Sequence, residues 1–277
     1  MAKKYNLDEK VFIDHRTPTA CYVMGLLWAD GDLYFAKKGK TYSINLATTA
    51  PDFNHFVEHM KKLGTWGIYE RKYKNENWKP GISVRATNEN IFNYLCKFNY
   101  RQKILGVSEL FDTWSHDEIC YWIMGLIDGD GHIKCDEQRS NFRIDIAGHY
   151  NQNWEFLLNF CKRYNIVAKT NLVLMKKGRG SHFSIGGRRE VTKFFNIVYK
   201  NNDLTLPLPR KLKPLQNIVQ RGENMSSLTK GICFDKQTQK WIVYGFFEKG
   251  KRKFLGRKKS FEDAVALQTT FYKEMTN

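Results

Sequence analysis

The same succession of apolar and polar patterns occurs twice along the chain. Two nearly continuous apolar stretches, YVMGLLWADGD from Tyr22 and YWIMGLIDGDG from Tyr121, each end in an acid flanked by glycine. The segments TYSINLATT (41–49) and NFRIDIAGH (141–149) follow them, with the period-two alternation of half-buried strands. Apolar residues at helical spacing come next, in DFNHFVEHMKKLG and NWEFLLNFCKRYN. GISVRATNENIFNYLCKF and HFSIGGRREVTKFFNIVY then each read as a strand entering a helix. The pattern predicts helix, strands, helix, strands, helix, occurring twice.

The two halves align residue by residue, which indicates an internal repeat. Gly25 falls on Gly125, and Asp30 falls on Asp130, at a constant offset of one hundred positions. We therefore expect an α+β fold built from two mixed units related by a pseudo-twofold axis. The predicted domains are repeat one at residues 1–106 and repeat two at residues 107–215.

A separate small module is predicted at the C-terminal end. Three of the six prolines lie in LTLPLPRKLKP, which favours an extended segment or a domain boundary there. The polar stretch that follows predicts a linker at 216–229. KGICFDKQTQKWIVYGFF and KRKFLGRKKSFEDAVALQTTFYKE read as a hairpin, a third strand and an amphipathic helix, so a three-stranded sheet with one helix is expected at 230–277. Residues 228–277 contain 11 basic and 5 acidic residues, a net charge of +6.

Small residues predict that the two apolar helices pack against each other. Each helix has a start signal, with Pro18 in the first turn of one and a capping box in SHDE (115–118) of the other. Gly25 and Ala29, like Gly125 and Gly129, lie four residues apart and therefore share a helix face. Because glycine costs up to about 1 kcal/mol in a helix interior, such a face indicates close approach of two backbones.

Charge is the most informative part of the composition. The 277 residues include 45 basic and 28 acidic ones, a net charge of +17, with 42% hydrophobic and 14% aromatic residues, which favours a globular chain. The basic excess favours a polyanion, and nucleic acid is expected because binding releases its counterions. An anionic membrane is disfavoured, since no strongly basic amphipathic helix stands out and no apolar run approaches about 18 residues. With no signal peptide and no zinc-type cysteine spacing, we expect a soluble intracellular protein with reduced thiols.

The two acids at the helix ends predict a divalent cation. Asp30 and Asp130 end their helices, where the helix dipole disfavours negative charge by about 0.3–1 kcal/mol. If the helices pack side by side, the two carboxylates also repel each other. Hard oxygen ligands of this kind suit Mg²⁺. The alternative is that both aspartates only terminate helices and face solvent. The equivalent positions of the two acids in the two repeats disfavour this alternative.

VMGLLWADG and IMGLIDGDG resemble the defining motif of the LAGLIDADG homing endonucleases in their single-chain, two-repeat form. The resemblance covers roughly residues 10–215 and implies paired central motif helices, with two saddle-shaped antiparallel sheets lying along double-stranded DNA. It implies that Asp30 and Asp130 are the catalytic metal-binding acids, and that Ala29 and Gly129 offer backbone carbonyls to the metal. Trp28 departs from the motif, where the second copy has Asp128, so the two half-sites are expected to differ.

The resemblance also implies the chemistry and its cofactors. We expect a monomer that hydrolyses both DNA strands across the minor groove at a long site with Mg²⁺, with Mn²⁺ as a substitute and Ca²⁺ supporting binding alone. The family uses polar and basic groups near the scissile phosphates. By position these are DNA-contacting residues at strand ends and strand-to-helix junctions, Thr48, Thr49, His149 and Arg85, and the catalytic candidates Arg188 and Arg189. For each of them, an ordinary surface role is the alternative.

The C-terminal module resembles the plant apetala/ethylene-response-factor DNA-binding domain, which also occurs in mobile endonucleases. Gly231, Lys240–Trp241, Phe254–Leu255–Gly256 and SFEDAVA carry the likeness. In that fold the sheet enters the major groove, which makes five strand residues candidates for DNA contact: Lys240, Trp241, Tyr244, Arg252 and Arg257. Core packing is the alternative for Trp241, and a solvated face is the alternative for the basic residues.

Two other functions stay open at this point. HFVEH (55–59) fits an inverted zinc-protease signature, although repeat two lacks it and the helix is explained by covering a sheet. A non-cutting nucleic-acid binder, either a maturase acting on group I intron RNA or a transcription regulator, is the main alternative. The presence of both Asp30 and Asp130 favours the endonuclease, because a binder gains nothing from acids at unfavourable helix ends.

Overall fold

The computed structural model describes residues 5–71, 81–136, 141–175, 178–224, 231–235, 237–246 and 252–276. By its internal contacts the chain divides into two units, Met1–Ile218 and Val219–Asn277. The predicted domain boundaries at residues 106, 215 and 229 stay predictions. In the described parts of the chain, no helix is long and apolar enough to span a membrane.

The first unit contains the same sequence of elements twice. The first copy consists of α1 (Pro18–Asp30), β1 (Gly31–Ala36), β2 (Thr41–Thr49), α2 (Ala50–Lys61), β3 (Gly67–Arg71), β4 (Gly81–Thr87) and α3 (Glu89–Lys97). A 3-10 turn, Lys103–Leu105, and α4 (Ser108–Thr113) connect it to the second. The second copy consists of α5 (His116–Asp130), β5 (Gly131–Asp136), β6 (Asn141–His149), α6 (Glu155–Arg163), β7 (Ala168–Met175), β8 (Gly178–Gly186) and α7 (Arg188–Val198), followed by α8 (Pro209–Asn224).

Both sheets are antiparallel and have the same topology, with strand orders β1-β2-β4-β3 and β5-β6-β8-β7. Gly31 pairs with Leu46, and Gly131 pairs with Ile146, so the first strand enters each sheet in the same register. Alternate residues such as Ile44, Leu46, Ile144 and Ile146 are buried on one face of their sheet. The other face carries polar and basic residues, as period-two alternation predicts.

Helices α1 and α5 pack against each other through the predicted glycine faces. A Cβ atom on Gly25 would overlap the carbonyl oxygen of Trp122, and one on Gly125 would overlap that of Tyr22. Positions 22 and 122 are equivalent in the repeat, so the contact is symmetrical. The start signals are also present, because Thr17 caps α1 before Pro18 and Ser115 forms a capping box with Glu118. The predicted fold class, with two related α+β repeats and paired central helices, is confirmed.

The segment after repeat two differs from the prediction. The sequence favours an extended segment or a domain boundary around its prolines, but in place of an extended segment Pro209–Asn224 forms α8, with Pro209 at its first residue and Pro214 inside it. Proline is well tolerated at the first position of a helix. Leu212, Leu215 and Ile218 are buried at helical spacing, and this apolar face outweighs the backbone hydrogen bond that Pro214 cannot donate.

The second unit contains the three-stranded sheet and the helix that the sequence predicts. Its elements are β9 (Ile232–Asp235), β10 (Lys240–Phe246), β11 (Arg252–Lys258) and α9 (Phe261–Thr276), and the sheet order is β11-β10-β9. Ile232, Val243 and Ala264 form the buried centre between sheet and helix.

Candidate active site

Asp30 and Asp130 lie where the paired helices end and the two sheets begin. Each is the last residue of its helix, and the following glycine, Gly31 or Gly131, has an extended backbone that leads directly into the first strand. A side chain on Gly31 would overlap the Leu27 carbonyl, so the turn out of the helix requires glycine. Both aspartates are solvent-accessible. A cation or a phosphate can therefore reach them.

Burial and neighbouring charges shift the pKa of both carboxylates. Surrounding protein removes part of their hydration and raises the pKa of both. The negative charge of Asp30 adds to this at Asp130, whose pKa is raised to about 6. Lys103 and Lys211 act in the opposite direction on both aspartates. The site thus combines two repelling acids with two nearby cationic groups.

The two lysines bind the C-terminal ends of the motif helices. The Lys103 ammonium donates to the carbonyl oxygens of Ala29 at 3.2 Å and Gly31 at 2.6 Å. The Lys211 ammonium donates to those of Ile127 and Asp128, both at 2.7 Å, and of Gly129 at 3.2 Å. A cation at the negative end of a helix dipole is favourable. Burial lowers the pKa of both lysines, while the neighbouring aspartates oppose that change.

Sequence reasoning missed Lys103 and Lys211. Each follows the last helix of its repeat, in RQKIL (101–105) and PRKLK (209–213), where the lysines correspond at an offset of 108 rather than 100. That similarity could have identified them as a pair. No sequence pattern, however, indicates that their chains fold back onto the ends of α1 and α5.

The oxygen atoms of this site fit a divalent cation such as Mg²⁺. The predicted ligands are two carboxylates, Asp30 and Asp130, and the carbonyls of Ala29 and Gly129. Both carbonyls attract a lysine ammonium at 3.2 Å, which indicates that positive charge is favoured at these atoms. A carbonyl oxygen has a second lone pair that a metal can use. The described residues contain no cluster of three or more His, Cys, Asp or Glu side chains suited to a metal. Mg²⁺ commonly needs only one or two carboxylates, with substrate phosphates and water completing its shell.

Arg85 and His149 each line a cavity together with one of the two acids. Arg85 lines a cavity of about 200 Å³ together with Asp30, and His149 lines one of about 830 Å³ together with Asp130. The Arg85 guanidinium donates to the Asn45 side chain at 2.8 Å and lies over the Tyr69 ring. These contacts hold its charge on the open face of the first sheet.

The other predicted contacts at strand ends are less clearly positioned. Gly31, the residue after Asp30, pairs with Leu46 on β2. Thr48 lies two residues further along β2, where it pairs with Ile82, and is therefore roughly 7 Å along the strand from Leu46. The side chain of Thr49 lies outside the described residues.

Arg188 and Arg189 are not brought to the acids, so their predicted catalytic role is not supported. Both arginines begin α7, directly after β8, whose last residue pairs with Arg143 on β6. The acid Asp130 lies at the other end of β6, because the next residue, Gly131, pairs with Ile146. The Arg188 guanidinium lies over the ring of Phe142, which is roughly 13 Å along β6 from Ile146 at 3.3 Å per residue. Arg189 is largely exposed and pairs with Glu190. The antiparallel return of β8 places this junction at the far end of the sheet.

The two motif copies differ at residues 28 and 128, two positions before Asp30 and Asp130. Trp28 packs in an aromatic cluster with Tyr100, Trp122 and Phe156. Its counterpart Asp128 is buried and accepts hydrogen bonds from the Tyr22 hydroxyl and the Leu208 amide, both at 2.7 Å. Burial raises the pKa of Asp128 to about 6. Asp128 thus connects the segment before α8 to the end of α5 by a hydrogen bond. Trp28, at the equivalent position of α1, has no carboxylate to accept such a bond.

The second unit presents aromatic and basic side chains on the face of its sheet away from α9. Tyr244 pairs with Phe254, and Ile242 pairs with Arg257, so these side chains share the open face. The Arg252 guanidinium lies 4.9 Å from the centre of the Tyr244 ring. Lys240 is exposed at the start of β10.

Trp241 lies on the opposite, helix-covered face of that sheet. Its ring packs against Phe261 and Phe234, with 4.9 Å and 5.0 Å between ring centres. It belongs to the core of the small unit. The predicted DNA contact by Trp241 is therefore replaced by core packing, whereas the assignments of Lys240, Tyr244, Arg252 and Arg257 stay predictions.

The two histidines of HFVEH are engaged in packing contacts. A ring nitrogen of His55 lies 2.7 Å from the Leu206 carbonyl oxygen. His59 is buried, and its ring meets those of Tyr22 and His55 edge to face. Burial lowers the pKa of His59 to about 4. Contacts between α2 and its neighbours therefore explain the presence of both histidines.

Comparison with known proteins gives matches among solved structures. No protein-family model and no curated protein matches the chain. Mesophilic variants of the homing endonuclease I-DmoI are 18% identical, with 67% of this chain and 97% of that chain covered and a TM-score of 0.49. The homing endonuclease I-WcaI bound to its DNA recognition sequence is 17% identical, with 72% and 85% covered and a TM-score of 0.49. The I-LtrWI LAGLIDADG homing endonuclease bound to target DNA is 13% identical, with 77% and 93% covered and a TM-score of 0.45.

Proposed function

We propose that this chain is a site-specific double-strand DNA endonuclease that uses a divalent cation, Mg²⁺ by preference. The observation that carries the proposal is the pairing of Asp30 with Asp130 across a glycine interface, with Lys103 and Lys211 beside them. Two acids kept at unfavourable helix ends need a compensating positive charge. Two equivalent half-sites suit the two strands of a duplex.

The residues of the site have separable roles in this proposal. Asp30 and Asp130, with the carbonyls of Ala29 and Gly129, would hold the cation. When bound, the cation supplies an activated water and stabilises charge on the phosphate and on the leaving oxygen. Lys103 and Lys211 add positive charge next to the acids, and this charge attracts the phosphate that must approach two carboxylates.

DNA is proposed to lie along the open faces of the two sheets. The net charge of +17 supplies the long-range attraction. Arg85 and His149 share cavities with the acids and are proposed to contact the backbone near the cut. Tyr244, Arg252, Arg257 and Lys240 of the second unit form a further proposed contact surface, of the kind in which strands read a groove.

The proposal is tested by cutting a library of duplexes with randomised sequence in Mg²⁺ and capturing the new ends by adaptor ligation. We expect one family of long related sites, cut in both strands, from the wild-type protein. The double variant Asp30→Asn and Asp130→Asn is the matched control and should yield none. Binding to DNA without new ends, from wild-type protein in Mg²⁺ or Mn²⁺, would contradict cutting and favour a non-cutting binder of DNA or intron RNA.

A further inference from the structure

At or next to each of the two lysines, the chain is contacted by a residue of the other repeat. The side chain of Gln152 donates to the Lys103 carbonyl oxygen at 2.7 Å. On the other side, Arg210 forms a two-pronged pair with Asp52, in which its Nε donates to Oδ1 at 2.7 Å and its Nη2 donates to Oδ2. Asp52 and Gln152 are equivalent positions, one hundred residues apart. The same position of the repeat thus binds the backbone of Lys103 in one case and the arginine that precedes Lys211 in the other, by a neutral and a charged contact respectively.

The segment Leu206–Lys211, which we name the lysine strap, connects repeat two to repeat one. At its start the Leu206 carbonyl oxygen lies 2.7 Å from the His55 ring, and at its end Arg210 binds Asp52. Both partners lie on α2. Asp52 is largely buried, and hydrogen bonds from Arg210 lower its pKa. A two-pronged arginine–carboxylate pair fixes orientation as well as distance.

Lys211 directly follows the arginine that Asp52 holds. From there its ammonium reaches the carbonyls at the end of α5. Lys103 reaches the carbonyls at the end of α1 through a separate turn, which Gln152 contacts. The two lysines are therefore anchored through separate contacts, although the charge of each acts on both aspartates. A change at one anchor should displace one lysine more than the other.

We propose that Asp52 is a positioning residue: by holding Arg210 it aims Lys211 at the end of α5, and it thereby governs the cleavage of one DNA strand. The inference rests on the proposed endonuclease function. Asp52 itself makes no contact with the reacting phosphate in this account. Its loss lets the lysine strap shift on α2, and a misplacement of about 1 Å costs up to about 100-fold in rate.

Strand-resolved cleavage is the first test, with each strand of the target duplex carrying a different fluorophore. Single-turnover rates are compared among the wild type, Asp52→Ala and the exchange variant with Asp52→Arg and Arg210→Asp. We expect Asp52→Ala to slow one strand about tenfold more than the other, so that nicked product accumulates, and the exchange to restore the ratio. Gln152→Ala is the matched control, and it should shift the ratio of the two strand rates in the opposite direction.

Lysine acetylation followed by mass spectrometry supplies a readout that does not depend on cutting. In Asp52→Ala we expect Lys211 to react faster than in the wild type, while Lys103 in the same molecule keeps its rate. Equal slowing of both strands, or a joint increase at both lysines, would overturn the positioning role. If the wild-type protein cuts neither strand, the endonuclease proposal fails, whereas the acetylation comparison still decides whether Asp52 positions Lys211.

Discussion

Replacing Gly25 by alanine sets two opposing effects against each other in the central helix pair. Alanine is favoured over glycine in a helix interior by up to about 1 kcal/mol. Against this, the added methyl group would overlap the backbone carbonyl of Trp122, which cannot rotate away as a side chain could. Overpacking a core costs about 1–3 kcal/mol, and a backbone obstacle favours the upper end of that range. We therefore expect a net loss of about 2 kcal/mol.

The assay is urea denaturation followed by tryptophan fluorescence. Six of the seven tryptophans precede residue 219, so the signal reports mainly on the two repeats. A loss of about 2 kcal/mol corresponds to a fall in Tm of roughly 4–8 °C in a unit of this size. Gly186→Ala is the control, because its Cβ would meet nothing within 4 Å, and it should change stability by less than about 0.5 kcal/mol.

The symmetry of the helix pair extends this prediction. Gly125→Ala should cost about as much as Gly25→Ala, since its methyl group would overlap the Tyr22 carbonyl at the equivalent position. A Gly25→Ala variant as stable as the wild type, or more stable, would refute the reasoning. In that case helix propensity would outweigh the contact, and α1 and α5 would not meet at these glycines.

Three further predictions concern stability and binding. The buried, neutral His59 ring stabilises the fold in full above about pH 6.5, the pKa of histidine in the unfolded chain, and this stabilisation is lost as the pH falls towards the folded pKa of about 4. The difference in unfolding free energy between the wild type and His59→Gln should therefore shrink by up to about 3 kcal/mol from pH 7 to pH 4. A difference that stays constant over this range would contradict the prediction. Tyr22→Phe removes a hydrogen bond to buried Asp128 and should cost about 1–3 kcal/mol in urea denaturation, whereas Tyr34→Phe, at a residue that is 58% exposed, should be neutral. The affinity for duplex DNA should fall steeply with salt, at a log–log slope of about 0.9 per phosphate contact, and a flat titration would count against binding along the sheets.

The sequence predicts the fold and the helix-end positions of Asp30 and Asp130 because both depend on local, repeated patterns. Period-two strands and helical spacing appear in both halves, and the structure has the same elements in the same order. Gly25 and Gly125 indicate the helix contact because glycine has few other reasons to recur on one helix face. The positions of Asp30 and Asp130 at the helix ends follow from that contact.

The parts that sequence reasoning missed depend on where the chain returns in space. Lys103 and Lys211 reach the helix ends from segments more than seventy residues away along the chain. Arg188 looks well placed by its strand-to-helix junction, but the antiparallel return of β8 carries that junction away from the acids. Trp241 could pack on either face of its strand, and only the docking of α9 decides between them.

We propose that Asp30 and Asp130 together hold the cation on which cleavage of both strands depends. The most direct test measures the linearisation of a target plasmid in Mg²⁺ by the wild type, Asp30→Asn and Asp130→Asn, with DNA binding measured in Ca²⁺. We predict that either substitution lowers double-strand cutting by orders of magnitude, since a lost ligand removes several kcal/mol of transition-state stabilisation, while binding in Ca²⁺ is retained. Cutting at the wild-type rate by either variant would contradict the claim.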